Sequence, residues 1–209
     1  MAGRAAARSR DHSGGDLSNE SPLPDPPGRT AGFAAARDSG WLPLSGPVAF
    51  CSVVFLIWIL LRASTGDHWV PILDHANLAF HEAGHLIVGL LSDRLAVYGG
   101  TLGQMFFPLA AAWQFLRRRH TLGFALAAGW ACESLLNVAT YMADARAMRL
   151  PLIGGLDPAA HHDWREIFAR WDMLHLDTAW AGLNRVIAWL GGVALCFWLM
   201  RRWLAGRAG

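Results

Sequence analysis

From Trp41 onward the chain alternates long apolar blocks with short charged clusters. Five blocks are each about as long as the roughly 20 residues that a helix needs to cross a hydrocarbon core. They are Pro43 to Leu61, Val70 to Leu91, Leu95 to Leu116, Thr121 to Ala143 and Ala179 to Met200. Trp41, Trp69, Trp180 and Trp203 fall near block ends, where indole prefers the membrane–water interface. The pattern predicts an all-α, polytopic membrane helix bundle with about five transmembrane spans. Residues 1–40 are rich in Gly, Ala, Ser, Pro and Arg and carry no apolar run, so they read as a disordered N-terminal tail ahead of a membrane-embedded domain over 41–209.

Charge then orients the blocks. Arg117, Arg118 and Arg119 form one cluster and Arg201 and Arg202 another, two spans apart, so both are placed on the cytoplasmic side and residues 144–178 outside. That outer region holds Pro151, Gly154, Gly155 and many charges, which predicts loops and a short amphipathic helix near Trp164 to Leu174. The net charge of +2 supplies no concentrated basic face, which argues against nucleic acid as a partner and leaves the lipid bilayer as the expected one. All 18 basic residues are arginine, read as the codon bias of a GC-rich, bacterial genome, and hence an integral protein of the bacterial cytoplasmic (inner) membrane. Cys51, Cys132 and Cys196 are scattered through apolar blocks with no CxxC spacing, so they are expected to be small buried hydrophobes.

The second block is the least apolar because it contains His81, Glu82 and His85, an HExxH pattern. On a helix, residues four apart share a face, so the two imidazoles can hold one metal ion while Glu82 stands beside them, placed to take a proton from a water on that metal. Zinc suits the set, because two imidazoles and a third protein ligand leave a fourth tetrahedral position open. Asp74, Asn77, His81 and His85 recur at i, i+3, i+7 and i+11, one polar stripe in which Asp74 or Asn77 could orient an imidazole. The fourth block carries a second stripe, Glu133, Asn137, Thr140 and Asp144. Facing lipid it would be prohibitive, so it is expected to face the histidine helix, with the third block packing nearby through Gly99, Gly100 and Gly103. Gln104, with Thr101 one turn earlier, could offer polar groups to an extended substrate.

HExxH inside a membrane span, followed two spans later by a helix carrying Asn and then Asp, resembles the site-2 protease family of intramembrane zinc metalloproteases. The resemblance covers roughly Val70 to Asp144. It implies His81 and His85 as zinc ligands, Glu82 as general base, Asn137 as a substrate-holding residue and Asp144 as third ligand. Thr140 and Ala145 stand where the family pattern has Pro and Gly, so Asp157, His162, Asp163 and Glu133 stay open as alternatives for the third ligand. The function implied is hydrolysis of peptide bonds in or near transmembrane segments of membrane-protein substrates. Two other readings compete. One is a catalytically inactive metal-binding membrane protein that holds a partner helix. The other is a membrane di-iron oxygenase acting on lipid, which needs about eight histidines where this chain has nine, several of them scattered.

Overall fold

The computed structural model describes residues 40–66, 68–151, 157 and 161–207. The expected tail over 1–40 lies almost wholly outside them. Among the described residues six α-helices follow in order: α1 (Gly46–Ser64), α2 (Leu73–Gly89), α3 (Asp93–Arg117), α4 (Thr121–Ala143), α5 (Asp163–Arg170) and α6 (Asp177–Ala205), with a short 3-10 turn at Leu174–Leu176. No strand occurs among the described residues.

Four of the helices, α1, α3, α4 and α6 with its preceding turn, are long and apolar enough to cross a membrane. The second expected span is different. Its helix begins only at Leu73, behind a turn in which Ile72 takes a positive φ of 74°, and it ends at Gly89 after 17 residues. Six polar residues, Asp74, His75, Asn77, His81, Glu82 and His85, fall within that length, and the helix is not among those long and apolar enough to cross a membrane. Among the described residues there are therefore four candidate spans and one shorter helix that carries His81, Glu82 and His85, where about five spans were expected.

The apolar core joins α1, α4 and α6. Leu56, Ile59 and Leu60 meet Ala125 and Leu136 of α4 and Ala188, Leu195 and Leu199 of α6, all buried. Gly129 and Gly192 receive Leu56 and Leu60, and a Cβ at either glycine would run into the leucine. Burying such side chains contributes roughly 1.5–3 kcal/mol each in water, less where lipid already surrounds the helix. The outer faces carry Phe50, Leu102, Phe106, Leu190 and Phe197, each more than 60% exposed, as lipid-facing surfaces of spanning helices would. Cys51 also lies exposed on α1, against the expectation that all three cysteines are buried, because it falls on that outer face.

At one end the Leu42 amide donates to the Arg119 carbonyl at 3.0 Å, Trp41 packs on Phe124 and Trp198, and Arg202 lies 5.6 Å over the Trp41 ring. Both arginine clusters thus share an end, as the orientation argument requires. At the opposite end α5 docks through Phe168 against Val138, Met142 and Ala181. This is the short amphipathic helix expected near Trp164. The pair that positions the site is α2 and α3, packed antiparallel across glycines. A Cβ at Gly84 would overlap the Gly99 carbonyl, and one at Gly103 would overlap that of Phe80.

Candidate metal centre

Close packing of α2 on α3 brings His81 and His85 to the bundle interior beside α5. Their Nε2 atoms lie 3.1 Å apart, and Asp163 Oδ2 stands 2.9 Å from the first and 3.1 Å from the second. Gly100 of α3 leaves the space between them open, since a Cβ there would sit 2.5 Å from His85 Nε2. Among the described residues this is the one group of three that could hold a metal ion.

The far side of each imidazole decides what the near side offers. His85 Nδ1 lies 2.8 Å from the Ala96 carbonyl, which can only accept, so that nitrogen carries the hydrogen. His81 Nδ1 lies 3.3 Å from Gln104 Oε1, also an acceptor. Both Nε2 atoms therefore present lone pairs toward each other and toward a carboxylate. Three electron-rich atoms about 3 Å apart repel unless a cation stands among them. A single proton relieves one edge of the triangle, whereas a metal ion relieves all three. Tetrahedral zinc at about 2.0–2.2 Å from each ligand separates its ligand atoms by about 3.3 Å, a small expansion of the observed triangle.

Asp163 is the first residue of α5, and the helix is docked so as to aim it. The Tyr141 hydroxyl accepts from the Asp163 amide at 3.1 Å, and His162 stacks on the Tyr141 ring at 4.3 Å. A carboxylic acid is ordinarily ionised at neutral pH, so Asp163 is the anionic member of the triad.

Asp144, which the resemblance implied as third ligand, is occupied elsewhere. Its two oxygens accept from the amides of Arg149 and Leu150, each at 2.9 Å, closing the turn after α4. A carboxylate at a helix C-cap faces unsatisfied amides in the following turn, and those amides capture it. Glu133 is buried against Asn77, whose Nδ2 donates to it at 3.0 Å, and His162 is buried at the N-cap of α5, accepting from the Arg165 amide. Asp157 offers its carbonyl to His161. Asp163, one of the alternatives left open, is the carboxylate that lies with the two histidines.

Gln104 and Asn137, expected to contact substrate, both border the cavity beside the histidines and are linked to one another. Gln104 Nε2 donates to Asn137 Oδ1 at 3.0 Å, and Asn137 Nδ2 donates to Asp74 Oδ1 at 2.7 Å. The two polar stripes do face each other: Asn77 reaches Glu133 and Trp130, and Asp74 reaches Asn137. Glu82 is exposed on the wall of a cavity of about 840 Å³ that also borders His81, His85, Asp163, Tyr141 and Thr140. Tyr141 and Gly100 were not anticipated as site residues, because a tyrosine near a helix end and one glycine among several carry no chemical signature by themselves.

No family model, curated protein or solved structure matches this chain. The resemblance to site-2 proteases accordingly rests on the residues themselves.

Proposed function

We propose that the chain is a zinc-dependent membrane peptidase that hydrolyses peptide bonds in or near transmembrane segments. The observation that carries this reading is the triangle of His81 Nε2, His85 Nε2 and Asp163 Oδ2, all within 3.1 Å, with both Nδ1 atoms committed to acceptors. The donor set of two imidazoles and one carboxylate fits zinc and leaves an open coordination position. Zinc bound there would polarise a water and a substrate carbonyl.

Glu82 supplies the base. It follows His81 directly in α2, lines the same cavity and is exposed to it, so a water beside the histidines is within its reach. Its carboxylate takes the proton from that water and returns it to the departing amine, which balances the hydrolysis. Tyr141 holds Asp163 through its hydroxyl and borders the same space. A helical substrate would have to unwind to enter, since its carbonyls are otherwise hydrogen-bonded within the helix.

The test is metal content by mass spectrometry on detergent-purified full-length protein, with His81→Ala, His85→Ala and Asp163→Ala. About one zinc per chain, lost in each variant, is expected. Glu82→Gln should keep the zinc while cleavage of an unfolded membrane-protein substrate falls by about 10²–10⁴-fold. A wild type without metal, or with two irons, refutes the reading.

A further inference from the structure

The side chains behind His81 form a chain of hydrogen bonds with a direction. Asp74 is buried, with 1% of its surface exposed, and both its oxygens accept from N–H donors. Oδ2 takes the Val70 amide and Oδ1 takes Asn137 Nδ2 at 2.7 Å. Asn137 must therefore turn its Oδ1 the other way, where Gln104 Nε2 donates to it at 3.0 Å. Gln104 in turn must present Oε1 to His81 Nδ1, 3.3 Å away. Each amide has one donor end and one acceptor end, so setting one sets the next.

We infer that Asp74 is a positioning residue for the metal centre: through Asn137 and Gln104 it selects the His81 tautomer that points the Nε2 lone pair at Asp163 and His85. The inference rests on the metal reading above. Asp74 borders the same cavity, yet its hydrogen bonds run to Val70 and Asn137 and not to His81, so the relay is its link to that imidazole. Gln104 is 4% exposed, and the nearest acceptor for its NH₂ is Asn137 Oδ1, the Ser134 carbonyl standing farther off at 3.5 Å.

A carboxylate differs from an amide here in a way that can be tested. In Asp74→Asn, the side-chain oxygen must face the Val70 amide, which places the new NH₂ against Asn137. Asn137 then turns over, Gln104 turns over, and an NH₂ group meets His81 Nδ1. The imidazole answers by moving its hydrogen to Nε2, into the metal position. Adding Gln104→Glu removes the conflict, because a carboxylate at 104 accepts both from the reversed Asn137 and from His81 Nδ1–H.

The experiment is zinc affinity of the full chain in detergent, by competition with a chromogenic chelator, for wild type, Asp74→Asn, Gln104→Glu and the double variant. Asp74→Asn should bind zinc about 10–100-fold more weakly, the loss typical of removing a partner behind a ligating histidine. The double variant should return to near the wild-type affinity. Gln104→Glu alone should bind more weakly than the double, since Asp74 still forces the Asn137 oxygen toward the new carboxylate. An Asp74→Asn protein that binds as wild type overturns the inference, as does a double variant no better than Asp74→Asn. A Gln104→Glu gain equal in both backgrounds also overturns it, since that is plain charge. Wild type that binds no zinc fails one step earlier and removes the metal reading with it. Should Asp74→Asn not fold, nitrogen-15 NMR of histidine-labelled, zinc-free wild type decides: His81 protonated on Nδ1 is expected, and protonation on Nε2 overturns the relay.

Discussion

Gly100→Ala tests the metal centre without removing a donor atom. The methyl carbon would stand 2.5 Å from both His85 Nε2 and His81 Cε1. Non-bonded heavy atoms settle at about 3.5 Å or more, so the imidazoles must retreat by about 1 Å. Ligand distances tolerate only about 0.2 Å, roughly a fifth of that retreat. The fold should survive the change. Overpacking costs about 1–3 kcal/mol, while replacing glycine inside a helix returns up to about 1 kcal/mol. The imidazoles border a cavity into which they can swing. The expected result is a protein that elutes and melts close to wild type but purifies without zinc. The assay is metal content beside thermal unfolding by circular dichroism, with Gly182→Ala as the control, because a Cβ at Gly182 meets nothing within 4 Å. Full zinc occupancy in Gly100→Ala would refute the convergence of the three ligand atoms on the space in front of that glycine.

Three further outcomes follow from the same geometry. Asp144→Ala should keep its zinc yet lose about 1–3 kcal/mol of stability, because the amides of Arg149 and Leu150 lose their acceptor; metal loss comparable to Asp163→Ala would restore Asp144 as ligand. Gly84→Ala should misassemble or melt well below wild type, since its Cβ meets the backbone of Gly99, which no rotamer change relieves; an unchanged melting temperature in detergent would show that α2 and α3 are less closely packed. His162 is held below its ordinary value of about 6.5, chiefly by burial, with the Asp144 and Asp163 carboxylates offsetting only part of it. The unfolded chain then takes the proton first, so its contribution to stability is complete above about pH 6.5 and declines as pH falls below it. Melting of zinc-free protein from about pH 7.5 to about pH 5.5 should show this decline, and His162→Gln should flatten it.

How far the sequence spoke differs from residue to residue, for physical reasons. His81 and His85 were legible because a helical period of 3.6 fixes which residues share a face before any fold is known. The two polar stripes were legible for the same reason. Buried polar groups must find partners, and the facing stripe was the available one, as Asn77 to Glu133 and Asn137 to Asp74 bear out. Spans were less legible than stripes, since a turn at Ile72 and a positive φ shorten α2 without leaving a mark on hydropathy. The third ligand was the least legible. Asp144 and Asp163 are both carboxylates at ends of helices, and what separates them is local competition. Asp144 ends a helix and is captured by the amides of the turn that follows. Asp163 begins one, its own amide is taken by Tyr141, and its side chain is left free to point inward.

That contrast bears on why the centre sits where it does. A short helix such as α5, eight residues long, has little stability of its own and is held by Ile167 and Phe168 beneath it and by the stacked His162 and Tyr141. The two histidines on α2 are held rigidly by glycine contacts with α3 that allow no slack, whereas the carboxylate from α5 arrives on an element whose docking depends on packing at the end of the bundle. Metal affinity in this arrangement therefore reports on whether α5 is docked. A substitution that loosens the docking, such as Phe168→Ala, removes about 3–5 kcal/mol of burial and should weaken zinc binding without touching a ligand. Zinc binding by Phe168→Ala at wild-type affinity would show that Asp163 is held by its bond to Tyr141 alone, and the helix beneath it would then serve only to close the end of the bundle.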